Sequence, residues 1–194
     1  MGADVHIVLG RINLKAIEQR SHEPSSERGL ALFDNRQLLF DDFEMQNVPD
    51  EYDLWRNYRL FSWLSGVRGN LKPLRNPEEL QNLTRDFLDW YNGKFIENQS
   101  GGRPVRWYTD DFHDAYDTGD HSRVVYTVNT LKNFDYDQRV EMLDEDSSHW
   151  DKDPVYVRDL NGATYRETFG EQYFNFLGHC VNEGWHFVLF GFDS

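Results

Sequence analysis

Apolar residues recur along this chain with two different periods, and the change of period divides it into strands and helices. At the start Val5, Ile7 and Leu9 alternate with Asp4, His6 and Val8, a period of two that predicts a strand. Asp4 and His6, two positions apart, then share one of its faces. Ser21 to Gly29 is polar with a proline and reads as a loop, and Leu30–Phe33 and Gln37–Phe40 around Asp34-Asn35-Arg36 read as a hairpin. From Leu54 the period lengthens. Leu54, Tyr58, Phe61 and Leu64 form one stripe of a helix predicted to run from Leu54 to about Val67, capped by Asp53 and stopped by Gly69. Arg56 and Arg59 lie off that stripe.

A second helix is predicted between Asn76 and Gly93. Asn76 caps it, Pro77 and Glu79 occupy its first turn, and Leu80, Leu83, Phe87 and Trp90 or Tyr91 form its apolar face. Residues 94–121 read as a long Gly- and Asp-rich loop, a length associated with functional loops. Arg123–Tyr126 reads as a strand, and Thr127 caps a short helix through Asn133. Asp144–Asp153 reads as an acidic loop. Val155–Arg158 and Ala163–Arg166 around Asn161-Gly162 predict a hairpin. Thr168 and Glu171 predict the capping box of a helix that buries Phe169, Tyr173, Phe174, Leu177 and Val181 and ends at Gly184. His186–Phe192 closes the pattern as a strand, with Val188 and Phe190 on one face and Phe187 and Leu189 on the other. Strands at both ends surrounding helices, without regular βαβ alternation, predict an α+β fold. The expected architecture is one domain over residues 1–194, with a mainly antiparallel sheet, the first and last strands central, and about three helices packed on it.

Composition adds a constraint on partners. The 194 residues carry 34 acidic and 20 basic side chains, a net charge of −14, which argues against general nucleic-acid binding and against anionic membranes. No apolar run approaches the length of a membrane span, and Met1–Gly10 lacks the pattern of a signal peptide. Cys180 is the single cysteine, so no disulfide forms within the chain; a cytoplasmic setting and a buried, inert thiol are the natural expectations. The charge is segregated. Residues 41–54 hold 6 acidic and no basic groups, residues 55–108 hold 9 basic and 5 acidic, and residues 109–159 hold 5 basic and 14 acidic. A basic stretch thus lies between two acidic ones, and Arg56 is placed either to pair with the acidic stretch before it or to face an anion.

Three groups of residues could carry chemistry. Asp4 and His6 combine a carboxylate and an imidazole on one strand face, both good ligands for a divalent metal such as zinc or manganese; His121 and Asp193 are candidates to complete the set, with Asp117, Asp120 and His113 in reserve. Arg56, Asn57 and Tyr58 open the first predicted helix, where an arginine could hold a phosphate in two hydrogen bonds, and Arg68 could extend the basic face. Trp107, in the long loop, could stack on a ring. His121-Ser122 is a poor nucleophile pair, because neighbours on a strand point apart. No glycine-flanked serine elbow, phosphate-binding loop, dinucleotide fingerprint or HExxH motif is present.

Several of these residues together resemble a family of uncharacterised proteins of tailed bacteriophages and prophages. Met1-Gly2-Ala3-Asp4-Val5-His6 is similar to the family's Met-Gly-Cys-Asp-Ile-His start. Arg56-Asn57-Tyr58-Arg59-Leu60-Phe61, followed by Leu64 and Val67-Arg68, is similar to its central Arg-Asn-Tyr-x-Leu-Phe motif. Asp120-His121-Ser122 with Thr127 and Leu131 resembles a later segment, and Phe190-Gly191-Phe192-Asp193-Ser194 resembles a Phe-Trp-Phe-Asp-Asn end. Ala3 replaces the family's cysteine, Val124-Val125 its Ser-Trp, and Gly191 its tryptophan. The resemblance implies a phage accessory protein acting in the cytoplasm of an infected host, and it supplies no mechanism.

Three functions follow as expectations. One is a protein that sequesters a small phosphate-bearing ligand such as a nucleotide immune signal, using Arg56, Asn57, Tyr58, Arg68, Trp107 and His121, with assembly into a homo-oligomer as one way to enclose it. The second is a phosphoesterase whose divalent metal is held by Asp4, His6, His121 and Asp193. The third is an acidic DNA mimic, with residues 41–54 and 109–159 opposing a host nucleic-acid enzyme.

Overall fold

The computed structural model describes residues 4–12, 43–66, 69–74, 121–144 and 154–192. The predicted hairpin at 30–40, the second helix at 76–93, the loop at 94–120 and most of the acidic loop at 144–153 lie outside these residues.

The fold is α+β. Strands β1 (Val5–Ile12), β2 (Phe43–Asn47), β3 (His121–Thr127) and β6 (Phe187–Phe192) form one antiparallel sheet in the order β2-β1-β6-β3. The first and last strands are therefore central, as the apolar patterns at the two ends predict. Ile7 pairs with Phe190 and Leu9 with Val188, and across β6 Val124 pairs with Phe190 and Tyr126 with Val188. These residues line one face, which carries the main core. Val8, Val125, Phe187 and Leu189 alternate with them and are also buried, so both faces of the sheet are shielded from water. Gly10 pairs with Phe187, whose ring occupies the space a side chain at Gly10 would need: a Cβ there would lie 2.2 Å from the ring.

Three α-helices are described, α1 (Tyr58–Ser65), α2 (Val128–Asn133) and α3 (Tyr165–Asn182), together with a short 3-10 turn at Asp50–Tyr52. Strands β4 (Glu141–Leu143) and β5 (Tyr156–Arg158) make a separate two-stranded sheet. Trp63 of α1 is fully buried among Phe134, Tyr136, Tyr165, Phe169 and Tyr173, with ring centroids 4.9–6.3 Å away. Edge-to-face contacts dominate within this group, as the ring quadrupole favours. The buried hydroxyls find partners. Tyr136 donates to the Leu131 carbonyl at 2.6 Å and shares a 2.8 Å hydrogen bond with Tyr173, and Tyr126 donates to the Leu64 carbonyl. Burial pushes both Tyr136 and Tyr173 upward, so they remain neutral donors.

Three boundaries differ from the predictions, each for a local reason. Helix α1 starts at Tyr58, not Leu54, because the Asn57 side chain takes the Leu60 N–H at 3.1 Å and caps it there. It ends at Gly66, not near Val67–Gly69, because Gly66 adopts the left-handed conformation (φ 74°) that closes a helix. Leu54 is buried nonetheless, and Tyr58 is 36% exposed rather than part of the buried stripe. Helix α3 starts four residues early. Its capping box is Thr164 with Glu167, not Thr168 with Glu171; Thr168 instead donates to the Thr164 carbonyl. Residues 165–166 therefore belong to the helix. The hairpin expected around Asn161-Gly162 is not made, and β5 pairs with β4 instead. Phe174 of α3 is partly buried and Val181 is exposed, whereas Phe176 and Cys180 are fully buried. The short α2 follows its prediction, with the Thr127 hydroxyl accepting from the Thr130 N–H.

Candidate functional site

The segment between the acidic stretch and α1 is held from both sides. Leu54 is buried in the core, and the Gln172 side chain donates to the Asp53 carbonyl. After the turn, Asn57 acts in two directions: its oxygen caps α1, and its Nδ2 donates to the Phe169 carbonyl at 3.1 Å. Phe169 immediately precedes a break in α3 at Gly170, which has φ 75° and ψ 173°, a conformation open to glycine. Asn57 thus ties the start of α1 to the break in α3.

Around these anchors several side chains are exposed. Trp55 is 71% exposed, and Arg56, Tyr58 and Arg59 are exposed as well. Arg56 does not pair with the acidic stretch that precedes it. Its Nε instead reaches the Asp4 carboxylate at 3.2 Å, ahead of β1, with both side chains more than 60% exposed. Arg59 makes no ion pair among the described residues. One member of the acidic stretch has a different partner, at the far end of β1: Glu44 receives Arg11 in a two-bond pair at 2.7 and 2.5 Å.

This arrangement bears on the sequence candidates one by one. Asp4 and Arg56, read as members of two separate sites, are brought together. Asn57 has both ends of its amide engaged in structure, its oxygen by the Leu60 N–H and one of its two Nδ2 hydrogens by the Phe169 carbonyl, so its first role is to position Arg56. Tyr58 is half open, its ring edge-on to Phe61. His6 is half-buried, pairs in register with Gly191, and has contacts of its own. Arg68, Trp107, Asp193 and the side chain of His121 lie outside the described residues. At the level of backbone, His121 pairs with Phe192, so β3 and β1 flank β6 and bring His121 and His6 to the same end of the sheet, about 10 Å apart across it. Among the described residues, no three His, Cys, Asp or Glu side chains gather closely enough to hold a metal ion. Cys180 is fully buried, and burial pushes its thiol up to about 12, which leaves it unreactive at neutral pH.

Trp55 is the residue that motif reasoning passes over. Its signal in the sequence is its place directly beside Arg56 and off the Leu54–Phe61–Leu64 stripe. No described helix is long and apolar enough to cross a membrane. Comparison of the chain with protein-family models, with curated proteins and with solved structures finds no match.

Proposed function

We propose that this chain is a binding protein for a small phosphate-bearing ligand, made by a phage and acting in the host cytoplasm to withdraw a nucleotide signal. The observation that carries the reading is the state of Arg56. Its guanidinium is exposed, is held by one contact among the described residues, to Asp4, and has its backbone fixed by Leu54 and Asn57 on either side. An exposed ion pair of this kind is worth about 0–1 kcal/mol. A phosphate offering two oxygens to the guanidinium competes well against that single contact. The net charge of −14 disfavours a long polyanion and leaves a small one open.

Asp4 makes the reading testable, because it acts in opposite directions in the two leading functions. If Arg56 receives the anion, Asp4→Asn releases it, and affinity for nucleotides rises by up to about fivefold, the worth of the exposed pair. If Asp4 is instead a metal ligand, as the shared position of His6 and His121 at one end of the sheet would suit, the same change weakens manganese or zinc binding. Calorimetry of the wild-type chain and Asp4→Asn, with a panel of mononucleotides and cyclic nucleotides and separately with each metal, distinguishes them. Failure of every nucleotide to bind the wild-type chain sinks the reading, and so does a fall in nucleotide affinity in Asp4→Asn.

A further inference from the structure

We infer that Trp55 is the base-stacking element of this site, so that the ligand class is a nucleotide and not a phosphorylated sugar or inorganic phosphate. The inference rests on the reading that Arg56 holds a phosphate, and adds a second contact of different chemistry.

Tryptophan is highly buried on average, and an indole left in water normally signals a binding surface only when its neighbours fit one. Trp185 and Trp63 obey the general pattern at 6% and 0% exposure, whereas Trp55 is 71% exposed. Its exposure is not that of a loose loop tip. Leu54 on one side is inserted into the core, and Asn57 two residues on is fastened to the Phe169 carbonyl, so the indole is carried on a fixed stretch of backbone. An aromatic side chain on a fixed backbone binds a flat ring with a smaller ordering cost than one on a loose loop.

The neighbours choose the occupant. Arg56 follows Trp55 directly, and Arg59 lies four residues on, unpaired among the described residues. Two arginines within four residues of the indole disfavour a cationic guest such as the quaternary-ammonium ligands that aromatic cages hold. A nucleobase stacks on the indole, while the phosphate of the same nucleotide meets the guanidinium groups. A single-stranded nucleic acid would offer the same two groups, but it brings many phosphates to a chain of net charge −14. A mononucleotide or cyclic nucleotide is therefore the better match.

The test compares AMP, GMP and a cyclic nucleotide with ribose 5-phosphate and inorganic phosphate, by calorimetry on the full chain and on Trp55→Ala and Trp55→Phe. Stacking on one aromatic side chain predicts that the wild-type chain prefers AMP over ribose 5-phosphate by about tenfold or more. Trp55→Ala should erase that preference without changing ribose 5-phosphate affinity, and Trp55→Phe should keep most of it. Since the side chain is exposed, both variants should fold, which a thermal melt verifies. Equal binding of AMP and ribose 5-phosphate to the wild-type chain, or undiminished AMP affinity in Trp55→Ala, overturns the role of Trp55 and leaves the phosphate reading standing. No binding of any of the five overturns both.

Discussion

The two ends of β1 each carry an arginine–carboxylate pair, and the pairs are built differently. At the Arg11 end the guanidinium makes two hydrogen bonds to Glu44, a third at 3.0 Å to the Glu183 carbonyl at the end of α3, and lies 4.7 Å over the Trp185 ring. Arg11 therefore joins β2, α3 and the turn into β6. At the Asp4 end Arg56 makes one 3.2 Å contact, and nothing is stacked beneath it among the described residues. Both pairs would look alike in a count of salt bridges. Among the described residues the first is woven into the fold, whereas the second holds its guanidinium by one exposed contact.

The largest expected effect comes from removing the plate beneath the structural pair. Trp185→Ala should lower unfolding stability by about 3–5 kcal/mol in a urea titration, because it deletes a nearly buried aromatic side chain. Nucleotide affinity at the opposite end of β1 should stay within twofold in the folded protein. A loss below about 1 kcal/mol would show that Arg11 needs no such support. Truncating the arginines themselves sharpens the contrast. Arg11→Ala should lower stability by about 1–2 kcal/mol, since it removes the charged hydrogen bond to the Glu183 carbonyl along with a partly screened pair. Arg56→Ala should change stability by no more than about 0.5 kcal/mol and abolish phosphate binding. Equal stability losses in the two variants would erase the distinction.

The smallest effect is a difference in acid response. The hydrogen bond from Arg11 holds the Glu44 carboxyl below the ordinary glutamate value near 4.5. Burial, and then the charge of Arg11, hold His186 below the ordinary histidine value near 6.5. In both cases the unfolded chain takes up the proton first. The stability they contribute is fully present above the unfolded values and is lost as pH falls, for His186 from about 6.5 downward and for Glu44 from about 4.5 downward. Denaturant titrations at pH 7, 5.5 and 4 should show this decline. Arg11→Ala should flatten it in the lowest interval, where Glu44 loses its perturbing partner. An unchanged slope in that variant would mean Glu44 does not report on the pair.

How much of this was legible in the sequence depends on whether the signal is local. The central strands were legible because Val5–Leu9 and His186–Phe192 are apolar enough to demand burial. The Thr127 cap was legible because it needs only a hydroxyl three residues from an N–H. The start of α3 was misread because Thr164-Glu167 and Thr168-Glu171 offer the same spacing. The bridge from Arg139 to Thr164 and the hydrogen bond from the Tyr165 N–H to the Gln138 carbonyl fix the earlier one. The start of α1 was misread because Leu54 fits the apolar stripe, while the Asn57 cap, tied to Phe169, sets the boundary. At the candidate site, the place of Arg56 beside Asn57 at a helix start is legible in the sequence. Its partner is not, since the acidic stretch next to it in sequence offers a nearer carboxylate than Asp4, 52 residues away.

What the sequence by itself determined is the α+β character and the central place of its first and last strands, because burying apolar side chains is a demand each segment states alone. What the tertiary structure decided is which charges meet. Pairing depends on where separate elements come to rest, and no local pattern records that Arg11 reaches Glu44 over Trp185 while Arg56 reaches Asp4 and leaves Trp55 in water.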